Sequence, residues 1–441
     1  MSDWPMRSIG SLCDIVKGET GLASAIPGEY PLVTTGAERK TANAWQFDTE
    51  AVCIPLVSST GHGKKTLNYV HYQEGKFALG TILAAVIPKD KNILSASYMH
   101  RYLQFYKDRK IVPLMRGAAN VSLAVRDIAK IEIPVPPIEK QRSLILLFNK
   151  LYDFDSAFGD EAATQSAIIA KLRQAVLQEA IEGKLTVDWR KSNPVRKGDA
   201  EYDAVALLDK IKVEKQKLVV KGKIRKEKPL VPIKAEDVPF ALPKGWVWTR
   251  LGEIGEIKGG KRVENGYKLQ KTPTDHIYIR VSDMKNGTID DSDLHYIDDK
   301  MYQKIKQYTI SKDDLYMTIV GATIGKCGIV PDIFHNMNLT ENAAKIHLHL
   351  TNKDYLFRLL SSPFCQMQFI DKTKQVGVQK MALNRFGTTI IPIPPLAEQQ
   401  AIVLHIEKIL AMINKLETQE KERIKQMEEV LQVALREVFE K

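Results

Sequence analysis

A lysine placed just after two closely spaced glycines lets backbone N–H groups and an ammonium surround a phosphate. Gly321-Ala322-Thr323-Ile324-Gly325-Lys326 has that composition. The nucleotide-binding loop, however, keeps four residues between its glycines and follows the lysine with Ser or Thr to hold magnesium. Here three residues intervene and Cys327 follows, so no nucleotide site is expected. Ser59-Thr60-Gly61-His62-Gly63-Lys64-Lys65 holds the comparable place in the first half. Both segments read as tight Gly loops carrying lysine to the surface, which suits phosphate contact; an ordinary hairpin turn would use the same glycines.

Other catalytic vocabulary is missing. There is no Asn-Pro-Pro-aromatic tetrapeptide for amino methylation and no Gly-x-Gly-x-x-Gly after a strand, and Pro331-Asp332 has no acid-x-Lys partner at nuclease spacing. Cys13, Cys53, Cys327 and Cys365 are isolated, which argues against a zinc site or a disulfide framework and leaves them as buried thiols. His347 and His349 share one face of a strand without a third ligand nearby, so they read as a packed or surface pair and no metal is expected. No nucleophile, base and orienter set emerges, and the chain is not expected to be an enzyme.

Side chains able to read nucleic acid are better represented, and they gather in loops. The first half offers Arg39 with Lys40, Lys64 with Lys65, and Arg116 with Asn120. The second offers Lys261 with Arg262, Arg280 with Asp283, Lys326, and the run containing Lys374, Gln375, Gln379 and Lys380. Arg and Lys pair with guanine, Asn and Gln with adenine, and Asp accepts from cytosine. Any one of them alone is an ordinary solvated charge; the clusters carry the argument, since specificity needs several base contacts on a phosphate-anchored frame. The formal net charge is +11, and residues 184–234 hold 15 Lys/Arg against 7 Asp/Glu. That connector is suited to a polyanion, or to simple solvation as a linker.

The elements that must position these loops come in two copies. Ile133-Pro134-Val135-Pro136-Pro137-Ile138-Glu139-Lys140-Gln141 returns 258 residues later as Ile391-Pro392-Ile393-Pro394-Pro395-Leu396-Ala397-Glu398-Gln399. Trp4, Ile9-Gly10 and Ile15 likewise match Trp246, Leu251-Gly252 and Ile257, and Tyr98, Arg101 and Leu103 match Tyr355, Arg358 and Leu360. Two copies of this length mean a duplication and not a solenoid. With 441 residues, 44% of them apolar, the chain has material for two cores of ordinary size. Short apolar runs punctuated by Gly, Pro and Asn, such as Val52-Val57, Thr81-Ile87 and Leu315-Val320, read as strands. Helical spacing follows at Ser97-Arg109 and Asp354-Asp371, giving an α+β class for each copy.

Each Pro-Pro pair then opens a long helix, where a missing N–H is tolerated. In the first helix Leu144, Leu151, Phe158 and Leu172 form one heptad column and Leu147, Phe154, Ile168 and Ala175 its companion, with Gln165 and Glu161 interrupting. In the second, Val403, Leu410, Ile424, Leu431 and Val438 run beside Ile406, Ile413, Met427 and Ala434, with Glu417 and Glu420 as exceptions. These are coiled-coil seams with a polar layer at mid-length. At roughly 40 residues and about 60 Å each they read as an antiparallel ruler between two globular domains. The expected organisation is a first domain over 1–137, a helix over 138–184, a basic Pro-containing connector over 185–245 along an exposed path, a second domain over 246–393 and a helix over 394–441. No apolar run reaches about 18 residues and no leader pattern is present, so a soluble cytoplasmic protein without a membrane partner is expected.

The paired Ile-Pro-x-Pro-Pro motifs, the Leu172-Arg173-Gln174-Ala175-Val176-Leu177-Gln178-Glu179-Ala180 to Gly183-Lys184 ending and the basic Lys221-Gly222-Lys223-Ile224-Arg225-Lys226-Glu227-Lys228-Pro229-Leu230 stretch resemble the specificity subunit of type I restriction-modification enzymes. Tyr278-Ile279-Arg280-Val281-Ser282-Asp283 and Tyr72-Gln73-Glu74-Gly75-Lys76-Phe77-Ala78-Leu79-Gly80 belong to the same resemblance, which covers essentially the whole chain. It implies two target recognition domains, each reading one half of a bipartite site in double-stranded DNA, so that two different loop sets make the site asymmetric. The long helices would bind two methyltransferase (M) subunits, and restriction/translocase (R) subunits would join them. The chain itself would hold no cofactor; S-adenosylmethionine, Mg and ATP would sit on the partner subunits. Pro136, Pro137 and Gln141, with Pro394, Pro395, Glu398 and Gln399, are the implied partner-binding residues. The first copy departs from the pattern, with Lys140 where the second has Glu398 and the acid moved to Glu139. An acid near a helix start also serves the dipole, so capping explains either version. The competing reading is a non-specific DNA-binding coiled-coil scaffold.

Overall fold

The computed structural model describes residues 4–60, 63–226, 228–373 and 379–440. The chain divides into two compact units, Met1–Thr164 with Glu420–Lys441, and Gln165–Gln419. Each long helix runs through a unit boundary, Ile138–Ile181 and Leu396–Glu440 being continuous.

In unit 1 an antiparallel sheet places Cys13–Lys17, Leu83–Pro88, Ala51–Pro55 and His71–Gln73 side by side. All five residues of Ala51–Pro55 are buried because this inner strand is covered on both faces. Strand alternation sends Val52 and Ile54 into the core beneath the helix Ala96–Lys110, with Tyr98, Met99 and Leu103. Ala51 and Cys53 face the opposite core, with Val33, Phe77 and Leu79 of a second four-stranded sheet. Ser95 starts the helix by accepting from the Tyr98 N–H at 3.4 Å.

Unit 2 repeats this plan. Gly255–Gly259, Ala343–Leu348, Asp314–Thr318 and Cys327–Ile329 form a sheet of the same order. Leu315 and Met317 pack under Tyr355 and Leu359, while Tyr316 enters the opposite core with Phe334 and Leu339. The single helix expected over 354–371 is two, Lys353–Leu360 and Pro363–Lys372. Proline cannot donate within a helix but suits a first turn, and Ser362 caps the second helix by accepting from the Cys365 N–H. The connector is less exposed than its lysines suggest. Its helix Ala204–Val220 buries Ala204, Leu207 and Ile211 in the unit 2 core, and half-buried Lys215 donates to the Gly252 carbonyl at 2.7 Å.

Within each unit the two long helices pack antiparallel. Leu144 and Phe148 of the first share the unit 1 core with Leu435, Val438 and Phe439 of the second. Val176, Leu177 and Ala180 share the unit 2 core with Ile402, Val403 and Ile406. The expected seam of the first helix needs correction. Leu144 is buried and Leu151 and Phe158 half-buried, but Leu147, Phe154, Ile168 and Leu172 are 46%, 52%, 57% and 42% exposed. Phe148, Ala162 and Val176 occupy the contact stripe instead. A helix with one helical neighbour buries one stripe, whereas its apolar pattern is wide enough for two. The polar layer is ionic: Arg423 joins Glu420 at 2.9 Å and Glu161 at 3.5 Å in unit 1, and Arg173 joins Glu417 and Asn414 at 2.6 Å in unit 2. Gly183, at φ 73°, ends the first helix in the left-handed conformation that a side chain resists.

Candidate nucleic-acid interface

One end of the four-stranded sheet gathers the basic loops in each unit. In unit 1, Pro55 pairs with Leu83 and Lys17 with Ala84, so the loops after Lys17 and Pro55 and before Leu83 emerge together. The Ser58 N–H donates to the Val121 carbonyl at 3.1 Å, and Leu123 N–H to Leu56 at 2.8 Å. Arg116 and Ser122 exchange backbone bonds of 2.8 Å to close a hairpin whose tip is Gly117-Asn120. Lys64, Lys65, Arg116 and Asn120 are thereby brought to one edge, all exposed. Arg116 also reaches Asp127 at 3.6 Å while 72% exposed.

Unit 2 builds the equivalent edge. Gly259 pairs with Ala344 and Thr318 with Ala343, and Val320 bridges Lys380. The Gly321 N–H donates to the Gln379 carbonyl at 2.9 Å, and Met381 N–H to Ile319 at 2.9 Å. Gly321 and Gly325 take φ of 81° and 91°, the left-handed backbone that makes this a tight turn. Lys261, Arg262, Lys326, Gln379 and Lys380 stand at this end of the sheet. Arg262 is already paired with Glu341, Nε to Oε1 at 2.5 Å, a residue that sequence reading missed because a lone acid carries no periodic signal. Lys374 and Gln375 lie outside the described residues, as do Gly61 and His62 of the first Gly loop.

Two expected base readers are committed elsewhere. Arg280 grips Asp283 through Nε at 3.2 Å and Nη2 at 2.5 Å, and also meets the Asp293 carbonyl at 2.8 Å. Asp283 is 5% exposed and accepts the Arg280 backbone N–H at 2.8 Å. Unit 1 has a comparable arginine: Arg39 donates to Gln73 Oε1 and the Tyr72 carbonyl at 3.0 Å and meets His71 Nδ1 at 3.2 Å. Burial and the adjacent guanidinium push the His71 pKa down to about 4, so the neutral ring can accept that bond. These guanidiniums tie loops to the frame, which leaves Lys40 as the exposed cation beside Arg39.

The partner-binding assignment also changes. Gln141 is fully buried; its amide donates to the Ile93 and Pro136 carbonyls at 2.8 Å and accepts the Ser95 N–H at 2.9 Å. Gln399 repeats this, donating to Pro394 at 3.0 Å and accepting the Asn352 N–H at 2.9 Å. Each glutamine locks a long helix to the short helix of its domain. Glu398, 1% exposed, accepts from Thr186 Oγ1 at 2.7 Å, Arg190 at 2.5 Å and Trp246 Nε1 at 2.7 Å. Pro136, Pro394 and Pro395 are buried as well, so of the seven residues Pro137 alone presents an exposed surface. The two histidines are each tied to a carboxylate: exposed His347 lies through Nδ1 2.8 Å from Asp314, and buried His349 through Nε2 3.4 Å from Glu256. Among the described residues no group of three His, Cys, Asp or Glu is disposed to hold a metal, and no helix is long and apolar enough to cross a membrane.

A duplicated α+β unit mounted on a pair of long helices, with a basic loop edge in each copy, defines the class. The family described as the type I restriction modification DNA specificity domain matches residues 1–156 and 243–426, and the chain belongs to it. It is 29% identical over 271 residues to the type I restriction enzyme EcoAI specificity subunit of Escherichia coli, covering 60% of this chain and 42% of that one. The EcoDI specificity subunit of Escherichia coli is 23% identical over an alignment spanning 99% of this chain and 88% of the relative. The matches span less than two thirds of the EcoAI and EcoBI relatives, at 42% and 59% of their lengths. In fold the chain is similar to the HsdS subunit from Thermoanaerobacter tengcongensis, with a TM-score of 0.52 at 14% identity over 99% of this chain and 96% of the other. A chain solved for the structural basis of complex assembly and conformational transition of the type I R-M system gives a TM-score of 0.60 at 13% identity, covering 99% and 97%.

Proposed function

We propose that the chain is the DNA-recognition subunit of a type I restriction-modification complex, reading a bipartite asymmetric site in double-stranded DNA with one sheet edge per half-site. It directs two methyltransferase subunits and the restriction/translocase subunits to that site and performs no chemistry itself. S-adenosylmethionine, Mg and ATP belong to those partners. The observation that carries this reading is that two copies of one frame present equivalent loop edges with different side chains: Lys64, Lys65, Arg116 and Asn120 in one, Lys261, Lys326, Gln379 and Lys380 in the other. Lysine and arginine anchor phosphates, while Asn, Gln and Arg discriminate base edges. Leu147, Phe154, Ile168, Leu404 and Met412, all more than two fifths exposed, give the long helices apolar surface of the kind that protein partners cover.

The test is a single-base map of N6-methyladenine in host DNA with the gene intact and deleted. Loss of one asymmetric bipartite motif is expected. No lost motif, in cells expressing the methyltransferase partner, would abandon this reading for the scaffold. Exchanging residues 1–135 for those of another member is expected to alter one half-site and leave the other unchanged.

A further inference from the structure

The second sheet of each unit holds a correspondence that the sequence repeat does not reveal. In unit 1 Lys76–Leu79 lies between Tyr30–Val33, which it pairs in parallel, and Phe47–Asp48, which runs antiparallel to it. In unit 2 Met337–Leu339 lies between Tyr278–Ile279, in parallel, and Thr309–Ile310, antiparallel. The registers coincide: Val33 pairs with Leu79 and Phe47 with Phe77, as Ile279 pairs with Leu339 and Ile310 with Met337. Phe47 and Ile310 are therefore equivalent, and two residues before them stand Trp45 and Tyr308.

Each of these aromatic rings carries a lysine. Lys76 Nζ lies 5.1 Å from the Trp45 ring centroid and Lys261 Nζ 5.8 Å from that of Tyr308. The lysines come from different elements, Lys76 from the inner strand and Lys261 from the loop after Gly259, yet they reach the same place. Both are exposed, and neither forms an ion pair among the described residues. Each pair also stands beside a basic loop edge. Gln46 Nε2 donates to the Lys17 carbonyl at 3.0 Å and its Oε1 accepts the Glu19 N–H at 3.1 Å, which pins the chain next to Trp45 against the loop leaving the four-stranded sheet. The Tyr308 carbonyl accepts the Leu339 N–H at 3.0 Å, and the Leu339 carbonyl accepts the Lys261 N–H at 2.8 Å. Trp45 is 44% exposed on this pinned backbone, and Tyr308 is half-buried.

A ring beside an unpaired ammonium offers apolar area to a deoxyribose and a cation to the neighbouring phosphate. The loops that could read bases differ between the units, whereas this pair is common to both, and a contact common to both edges cannot tell one half-site from another. We propose that Trp45 with Lys76, and Tyr308 with Lys261, are equivalent backbone anchors, the ring packing on a deoxyribose of duplex DNA and the lysine on the adjacent phosphate. They fix each edge on the duplex without reading sequence. The inference rests on the DNA-recognition reading and adds to it aromatic residues that the base-reading vocabulary of Arg, Lys, Asn, Gln and Asp passes over.

The experiment uses the full-length protein with its methyltransferase partner and two labelled duplexes of equal length, one carrying the motif lost on gene deletion and one with both half-sites scrambled. Anisotropy titrations are run over a series of salt concentrations. W45A is expected to weaken both duplexes alike, by about fivefold, which corresponds to about 1 kcal/mol, and W45F, which keeps a ring, should restore most of the loss. K76A and K261A should each lower the log-log salt slope by about 1 on both duplexes. Trp45, Lys76 and Lys261 are exposed, so thermal melts of these variants should match the parent. A W45A loss confined to the motif duplex overturns the proposal, because Trp45 would then read a base. Unchanged affinity of W45A, or unchanged slopes of K76A and K261A, overturns it as well; if Lys64→Ala still lowers the slope, the recognition reading survives that failure. Binding of neither duplex by the parent complex strikes both together.

Discussion

The starts of the two long helices share a frame and differ in their fastening. Tyr98 and Tyr355 donate to the Pro134 and Pro392 carbonyls, and Gln141 and Gln399 accept the Ser95 and Asn352 N–H groups. One position before each glutamine the copies diverge, Glu398 gathering three donors in a dry pocket while Lys140 points to solvent. A duplicated fold can thus keep the bonds that set its geometry and still give each copy a different outer contact.

Glu398→Ala should break this comparison most visibly. Removing the acid leaves Trp246 Nε1 without its acceptor and the Arg190 guanidinium without its carboxylate, though still bonded to Thr186 and Gly183, and breaking a buried pair costs about 3–5 kcal/mol. Lys140→Ala is expected to stay within about 0.5 kcal/mol, as at other exposed sites. Hydrogen exchange resolved to each unit checks both, and equal losses would mean the two helix starts are not fastened differently. Gln141→Ala and Gln399→Ala should instead behave alike, each losing about 1–3 kcal/mol through stranded backbone groups; a large effect of one alone in urea melts would refute the shared frame.

Acid should separate the units next. Burial, reinforced by neighbouring positive charge, holds His71 near 4, and burial brings His100 to about 4 as well. The unfolded chain therefore binds these protons first, and unit 1 loses stability as pH falls from about 6.5 toward 4, on the order of 1 kcal/mol per histidine. In unit 2 the Asp314 hydrogen bond raises the His347 pKa, which adds stability below about 6.5 that disappears as pH rises through its folded value. Burial pushes Glu256 up, but His349 and Lys258 outweigh it and hold the acid at about 2, so its contribution is full above about 4.5 and is lost as pH falls from there through about 2. Exchange at pH 5 against pH 7, corrected for intrinsic rates, should show unit 1 loosening first. The smallest effects belong to the loops: Lys64→Ala or Lys326→Ala should each reduce the log-log salt slope of DNA binding by about 1, and an unchanged slope would take that lysine off the interface.

The architecture was legible because it rests on strong periodic signals. The Pro-Pro pairs and heptads located both long helices nearly to the residue, and Gly183 marked the first helix end. The exposure of Leu147, Phe154 and Ile168 was not legible, since a heptad records that a face is apolar without recording how many neighbours cover it. Ser362-Pro363, by contrast, was a readable break that the apolar spacing on either side concealed. Arg280 and Asp283 illustrate the limit at the candidate site: composition names side chains able to read bases, but three residues apart they can also satisfy each other. Gln141 and Gln399 were singled out by repetition, and repetition does not distinguish a shared internal bond from a shared surface.

The basic hairpin is closed by main-chain bonds, Arg116 with Ser122 and Ser58 to Val121, whereas the Gly loops are also pinned by side chains, Ser58 Oγ donating to the Lys64 carbonyl at 2.5 Å and Gln366 Nε2 to the Gly325 carbonyl at 2.9 Å. Substituting the side chains at the hairpin tip, between Arg116 and Ser122, removes little that the frame depends on. A lineage carrying this scaffold can therefore drift through many loop sequences at nearly constant foldedness, trying new preferences one point change at a time.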